Sequence, residues 1–558
     1  MVKNRKAVSL PVFALALLVL PAAFSGSAHA GQRYQIGSQN TVTADPLVPR
    51  PQGKSCQVVL FDNLQFTDFN PKSFTYTPPA NCPGPWQKVV FSANFAVTAG
   101  VQFDRTGNIF VGGVPIYFGT TAEPSSDFGP NWHVETDLTD YSNLFATAQS
   151  GQVDLGNLVN DQYTGIISGS AILQFYPGTP ATAPFDSVLP LSASADGGTV
   201  TLNTSADTLS GTFTLPMNVV GAYADLYLQS QSSDEFWYTC VPDDLSSELQ
   251  SCPGTAYREG EVTIDGTPAG VAPVYPWIYT GGIDPYLWFP LPGVQTLNFK
   301  PYRVNLTPFA GLLSNGQPHT IAVSVFNADS YFSATGAFLL QTDKNATQVT
   351  GEVTQNTLTA PSPTVLENVH PKGSDIYAMV LVKSARHFTI SGYVIGSEGM
   401  VQTSVAQNID FSNKQTFTIT DTQYVQNILQ STSIDSEITT NSKSGNTISH
   451  DQLNWPLTLN YSFLSNSDGT SSQTATINQA YNDQLNTSLN GKTTYASSTQ
   501  NMATPTDTLE FDAAGNLTGN QGQRSQQRYT FHDNTGACYD ITLRAANNVL
   551  TGVKDGCQ

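Results

Sequence analysis

Residues 101–141 read VQFDRTGNIFVGGVPIYFGTTAEPSSDFGPNWHVETDLTDY. Short apolar runs bounded by Gly, Pro, Asn and Asp are the pattern of β-strands joined by tight turns. Asn108 opens such a run, and Asp104 and Arg105 stand just before it, where a loop delivers the chain to a sheet and functional side chains are commonly mounted. Glu123, Trp132, His133, Glu135 and Asp137 follow. Carboxylates, an arginine and an indole suit a polar site with a wall for sugar rings. The same residues also suit a turn ion pair between Asp104 and Arg105, with Asp137 and Asp140 capping a short helix over residues 138–144.

The pattern repeats outward in both directions. Residues 88–97, 108–117, 166–176, 199–202, 211–215, 224–228, 260–264 and 319–326 alternate or run apolar between turn residues, and no long segment of period 3.6 interrupts them. The fold class is all-β, built from sandwiches or barrels. With 558 residues, two or three domains are expected. Pro-rich joints place a first domain over 51–180 after a linker over 31–50. A second domain follows over 181–345, then a Thr/Asn/Pro-rich linker over 346–363. The Ser/Thr/Asn/Gln-rich remainder, 364–558, reads as a β-rich accessory domain with strands at 378–382 and 388–395 and a terminal hairpin 527–532/538–544.

Residues 1–30 carry Lys3, Arg5 and Lys6, then an apolar run, then Ala28-His29-Ala30. This is the layout of a cleaved export signal and predicts a secreted or periplasmic protein. No later run of eighteen apolar residues predicts insertion into a membrane. Six cysteines in an exported chain predict disulfides. Cys56, Cys82, Cys240, Cys252, Cys538 and Cys557 group in sequence as neighbours, although fifteen connectivities are possible. No C-x-x-C or H-E-x-x-H occurs, so neither a metal site nor any other cofactor is expected. Three of the 23 basic residues lie in the leader, leaving 20 against 43 acidic ones. Such a surface disfavours nucleic acid, and its self-repulsion falls in acid, which predicts acid tolerance.

A second cluster lies at Asp234-Glu-Phe-Trp-Tyr, Tyr257-Arg-Glu and 274–288, where three of the six tryptophans fall: Trp237, Trp277 and Trp288. Aromatic rings beside carboxylates and Gly-Gly turns suit a carbohydrate groove. They equally suit the core of a large sandwich.

FDRTGNIFVGGVPIYFGTTAEPS, ETDLTDYSNL, NLVNDQYTGI, DEFWY, YREGEVTIDG, PWIYTGGIDPYLW and NLTPFAGLL, in this order, resemble the peptide-N-glycosidase A family; ARHFTISGYVIGSEG and TFHDNTGACYDITLRAANN extend the likeness through the C-terminal third. The resemblance implies hydrolysis of the amide joining an N-linked glycan to Asn. The glycan would leave as a glycosylamine and Asn would become Asp. Implied substrates are N-linked glycopeptides and glycoproteins with a di-N-acetylglucosamine core, core fucose included, and implied conditions are acidic. A more distant likeness, to bacterial peptide-N-glycosidase F, implies two adjacent jelly rolls and an essential Asp in a Trp-Asp-Arg segment. Phe103-Asp104-Arg105 is similar to it and makes Asp104 the catalytic candidate. That likeness also implies an essential Glu, matched by Glu235 in Glu235-Phe-Trp237, and an Arg matched by Arg258. A further carboxylate of that relative finds no counterpart among Asp161, Gln162 and Tyr163.

On this reading Asp104 and Glu235 hold the water or the sugar–Asn linkage, and Arg105 or Arg258 stabilises the oxyanion. The arginine would also keep Asp104 ionised by lowering its pKa. Glu123, Glu135, Trp237, Trp277, Asp284 and Trp288 are candidate walls for the sugars, and His133 is a further candidate base. Competing readings are an endo-β-N-acetylglucosaminidase, which would cut a glycosidic bond between two carboxylates, and a non-catalytic lectin.

Overall fold

The computed structural model describes residues 34–557, so the export-signal segment 1–30 lies outside the described residues. Eight strands form the first unit: Cys56–Phe66 (β1), Lys72–Tyr76 (β2), Trp86–Val97 (β3), Thr106–Val111 (β4), Val114–Thr120 (β5), Asn131–Asp137 (β6), Gln149–Leu155 (β7) and Ile167–Pro177 (β8). They pair as β1-β8-β3-β6 and β2-β7-β4-β5, two four-stranded antiparallel sheets whose crossovers are those of a jelly roll. The stretch 108–117, expected as one strand, is a hairpin instead. Gly112 and Gly113 both take positive φ (55° and 76°), which lets the chain reverse between β4 and β5. The helix expected over 138–144 is a 3-10 helix, Thr139–Ala146, with no side-chain cap at Leu138. Asp137 accepts from the Thr139 amide (3.0 Å) and pairs with Lys88 (2.5 Å).

The second unit repeats the plan. Its strands are Ser187–Leu191 (β9), Val200–Thr204 (β10), Leu209–Thr214 (β11), Val219–Ser230 (β12), Glu259–Ile264 (β13), Thr267–Pro273 (β14), Tyr302–Asn305 (β15), Pro318–Phe326 (β16) and Asp329–Thr342 (β17). The sheets run β10-β17-β12-β15, with β9 on β17, and β11-β16-β13-β14. Where one face meets solvent the burial alternates, as along β16; β5, lying between the two units, is buried at every position.

The C-terminal part is one antiparallel sheet of twelve strands, from Thr350–Asn356 to Val549–Asp555. Its first strand lies inside the stretch 346–363 that was expected as a linker, and the two strands expected at 378–382 and 388–395 are one, Asp375–Gly396. The sheet packs on the second jelly roll through apolar residues and through fully buried amides: Asn413 donates to the Tyr238 carbonyl (2.9 Å) and Gln415 to that of Cys240 (2.8 Å). Three disulfides, Cys56–Cys82, Cys240–Cys252 and Cys538–Cys557, join the sequence neighbours.

Residues 34–50 also differ from the linker expected of them. The Ala44 amide donates to Gln527 (2.7 Å), Tyr539 donates to the Ala44 carbonyl (2.9 Å), and Arg50 pairs with Glu135 on β6. This strap ties the twelve-stranded sheet to the first jelly roll.

Candidate active site at the junction of the jelly rolls

The β4–β5 hairpin decides which carboxylates meet. Thr106 pairs with Thr120, so residues just before β4 lie opposite residues just after β5. Asp104 and Glu123 are thereby brought together, and the Asp104 amide donates to Glu123 Oε1 (3.1 Å). The turn carrying Asp104 is fixed from below by Gln102, 4% exposed. Its Nε2 donates to the carbonyls of Leu158 (2.9 Å) and Gly165 (3.0 Å), and its Oε1 accepts from the Phe103 amide (3.1 Å) and from Arg105 Nη2 (2.8 Å).

The second jelly roll closes the other side with the loop between β14 and β15. Thr280 donates to the Thr121 carbonyl (2.5 Å) and Tyr279 to that of Ser230 (2.5 Å). The Gly281 amide donates to the Asp104 carboxylate. A Cβ on Gly281 would overlap both Asp104 and Glu123, so only glycine lets the loop approach this closely. Glu235 follows β12 in a short turn, where its amide donates to the Ser232 carbonyl (3.1 Å). It is half-buried and lies within the field of Asp104.

Burial pushes all three carboxyls up. Asp104 rises to about 6, held from going further by hydrogen bonds from Glu123 and Gly281. Glu123 rises to about 8, through burial and then the Asp104 charge. Burial and the same charge take Glu235 to about 7. Asp104 is the stronger acid of a pair that holds one proton between them, so it ionises while Glu123 and Glu235 are still protonated.

The remaining candidates do not converge here. Arg105 turns away from Asp104 toward Gln102 and Asn157 (3.4 Å), beneath the Phe69 ring at 6.0 Å. It forms no ion pair with Asp104 among the described residues; its charge does lower the Asp104 pKa as expected, but burial outweighs it and the net shift is upward. Arg258 is fully buried, its Nε on Asp234 (2.7 Å) and its Nη1 on the carbonyls of Gly254, Thr255 and Tyr257. Asp234 also accepts from the Asp329 amide (2.7 Å), so this arginine pins the turn preceding Glu235, and its side chain, fully buried with Nη2 unpartnered among the described residues, is closed to a substrate. Glu135 is held by Arg50, His133 (2.9 Å) and the Val48 amide (2.9 Å), whose hydrogen bonds and charges outweigh burial and lower its pKa. It anchors the strap, and His133 is spent on it and on Asn94 (2.8 Å).

The three tryptophans are core residues. Trp237 is 1% exposed against Phe411, Trp277 stacks on Phe299 at 4.3 Å, and Trp288 donates to the Gly282 carbonyl (2.9 Å). Asp284 is buried, accepts from the Tyr286 amide (2.8 Å) and shares a hydrogen bond with Asp507 of the C-terminal sheet. Exposed aromatic surface beside Asp104 comes instead from Phe103, 53% exposed, whose ring lies 5.5 Å from that of Tyr163. Gly281 and Gln102 are the contributors the sequence reading passed over; the Gly281-Gly282 pair was the visible signal for the first.

The profile of the family described as peptide N-acetyl-β-D-glucosaminyl asparaginase amidase A matches residues 46–358, which take in both jelly rolls. The peptide-N4-(N-acetyl-β-glucosaminyl)asparagine amidase A of Prunus dulcis is 30% identical over 387 residues, 65% of this chain and 67% of that protein. Among solved structures, PNGase F of Flavobacterium meningosepticum, a glycosylasparaginase, aligns at 14% identity over 52% of this chain and 96% of its own (TM-score 0.35). PNGF-II aligns at 13% over 52% of this chain and 66% of its own (TM-score 0.37). With more than half of its length under the family profile and a curated relative at this identity, the chain belongs to the peptide-N-glycosidase A family.

Proposed function

We propose that this protein is a peptide-N4-(N-acetyl-β-glucosaminyl)asparagine amidase. It hydrolyses the amide between Asn and the first N-acetylglucosamine of an N-glycopeptide or N-glycoprotein, releases the whole glycan as a glycosylamine and leaves Asp. The observation that carries this is the meeting of Asp104, Glu123 and Glu235 where the two jelly rolls of a peptide-N-glycosidase A family member join.

Asp104, as the ionised partner, orients the attacking water and takes its proton. Water oxygen bonds to the amide carbon, and Glu235, still protonated, gives its proton to the nitrogen as the C–N bond breaks. Glu123 keeps the shared proton on its own side, so Asp104 is not neutralised. Neither a Ser nor a Cys nucleophile is required. Phe103 and Tyr163 offer apolar ring faces to the core sugars, including core-fucosylated ones. The working window lies on the acid side of neutrality, bounded below by protonation of Asp104 near 6 and above by ionisation of Glu235 near 7. The leader and three disulfides support action outside the cytoplasm.

The test is mass spectrometry of a defined glycopeptide in water enriched in oxygen-18. Intact glycan release with one heavy oxygen in the new Asp is expected. Asp104→Asn should abolish it, a loss of about a hundredfold or more, with the fold retained as judged by a cooperative unfolding transition. A peptide retaining one N-acetylglucosamine would overturn the reading in favour of a glycosidase; glycan binding without any product would favour a lectin.

A further inference from the structure

The loop that lays Gly281 on the two carboxylates is held next to the site by Tyr279 and Thr280 and is closed at its base by Thr296, whose hydroxyl donates to the Ile278 carbonyl (2.8 Å). It spans residues 276–294, carries little regular structure beyond the single turn Pro285–Trp288, and leaves the second jelly roll to cross the mouth of the site. Its two stems are joined by one side chain from elsewhere. Gln479, on the strand Ser471–Leu489 of the C-terminal sheet, is fully buried. Its Nε2 donates to the Pro276 carbonyl (2.6 Å) at the loop's entry, and its Oε1 accepts from the Val294 amide (3.2 Å) at the exit. Farther along, Gln523 of the same sheet donates to the Phe289 carbonyl (2.9 Å), and Asp507 shares a hydrogen bond with Asp284. Neither of these two contacts reaches both stems. A primary amide donates to a carbonyl and accepts from an N–H through two separate atoms, wide enough apart to reach both stems, and stays neutral at every pH.

We infer that Gln479 is a positioning residue of the active site: by clamping both stems of the 276–294 loop, the C-terminal sheet sets Gly281 against Asp104 and Glu123. This deepens the amidase reading and, for its kinetic part, rests on it. The sheet is then a working part of the enzyme and not an accessory to it. Losing the clamp withdraws the Gly281 amide from Asp104. A hydrogen bond to the charged form lowers a carboxyl's pKa, so its loss raises that of Asp104 and moves the acid limb of the rate profile to higher pH.

The experiment compares the full-length protein with Gln479→Leu and Gln479→Glu. Gln479→Leu keeps the bulk and removes both hydrogen bonds. Its kcat should fall about ten- to a hundredfold with KM nearly unchanged, and its acid limb should shift upward. Gln479→Glu can donate to Pro276 only as the neutral acid, so its activity should be restored in acid and lost as pH rises. Hydrogen–deuterium exchange of peptides covering residues 276–294 reads the clamp without any substrate. Faster exchange there in Gln479→Leu than in the native protein is expected. Unchanged exchange would overturn the inference whatever the enzyme does. Native protein that leaves Asn-linked glycopeptide intact would refute the amidase reading alone. Active native protein with a Gln479→Leu variant of equal kcat and equal acid limb would refute the clamp alone. Should Gln479→Leu fail to fold, the pH-dependent rescue in Gln479→Glu decides, and a flat ratio of variant to native activity across pH overturns the clamp.

Discussion

Replacing Glu123 by Gln separates the two things that side chain does. Glu123 is 8% exposed, and burial with the neighbouring Asp104 charge lifts its pKa from 4.5 to about 8. The folded protein therefore holds a proton between those values that the unfolded chain has released, and stability falls as pH rises through that interval. At about 1.4 kcal/mol per pH unit, the proton held by Glu123 is worth up to about 5 kcal/mol, present in full below about pH 4.5 and gone above about pH 8. The substituted glutamine has no proton to lose, yet its Oε1 can still accept from the Asp104 amide and its Nε2 can donate to the Asp104 carboxylate. Urea unfolding measured at intervals from about pH 5 to about pH 9 should show the variant gaining on the native protein by several kcal/mol across the range. Glycopeptide turnover below about pH 7 should remain within a few-fold of native, because Gln imitates the protonated acid that Asp104 meets there. Parallel stability curves for the two proteins would refute a shared proton between Asp104 and Glu123.

Arg258→Ala leaves Asp234 buried without its partner, at a cost of about 3–5 kcal/mol, so loss of soluble protein or a sharp fall in melting temperature is expected. A soluble variant with native stability and slow turnover would instead place Arg258 in the chemistry. Glu135→Gln weakens the hold on Arg50 and His133. Protease should then cut within residues 34–50 sooner while kcat holds; a matching fall in kcat would mean that Glu135 also serves the site.

The sequence was most readable where strands are half-exposed. Ile167–Pro177 and Pro318–Phe326 alternate almost perfectly because one face meets solvent, and the strands read at 166–176 and 319–326 fall on them within a residue. It was least readable where burial is complete. Val114–Thr120 has no exposed face to mark its period, so its separation from Thr106–Val111 rested on the two glycines alone. The tryptophans misled for a related reason. Trp237 is covered by Phe411 and Tyr275 packs on Trp455, residues well over a hundred positions away on the C-terminal sheet, and no local pattern announces such cover. Asp104 and Glu123 were each visible as candidates, and a hairpin turning at Gly112-Gly113 would have brought their two segments side by side, although the bulge at Ile109/Phe110 that shifts the register carried no signal. The Asn/Gln richness of the last third, read as that of a β-rich accessory domain, includes amides such as Asn413, Gln415 and Gln479 that are fully buried against neighbouring main chain.

The strap bears on how the chain can be assembled. Residues 34–50 emerge early in synthesis, whereas Gln527 and Tyr539, which receive Ala44, are made nearly five hundred residues later. Long-range contacts of this kind carry a high loop-closure cost and form late. Both jelly rolls can pack before the last strands exist, but the leading segment stays open until the final sheet closes over it. Shortening the chain at either end therefore undoes the same joint, and a chain trimmed to the two jelly rolls would present the uncovered Trp237 and Tyr275 surface to water as a site for aggregation.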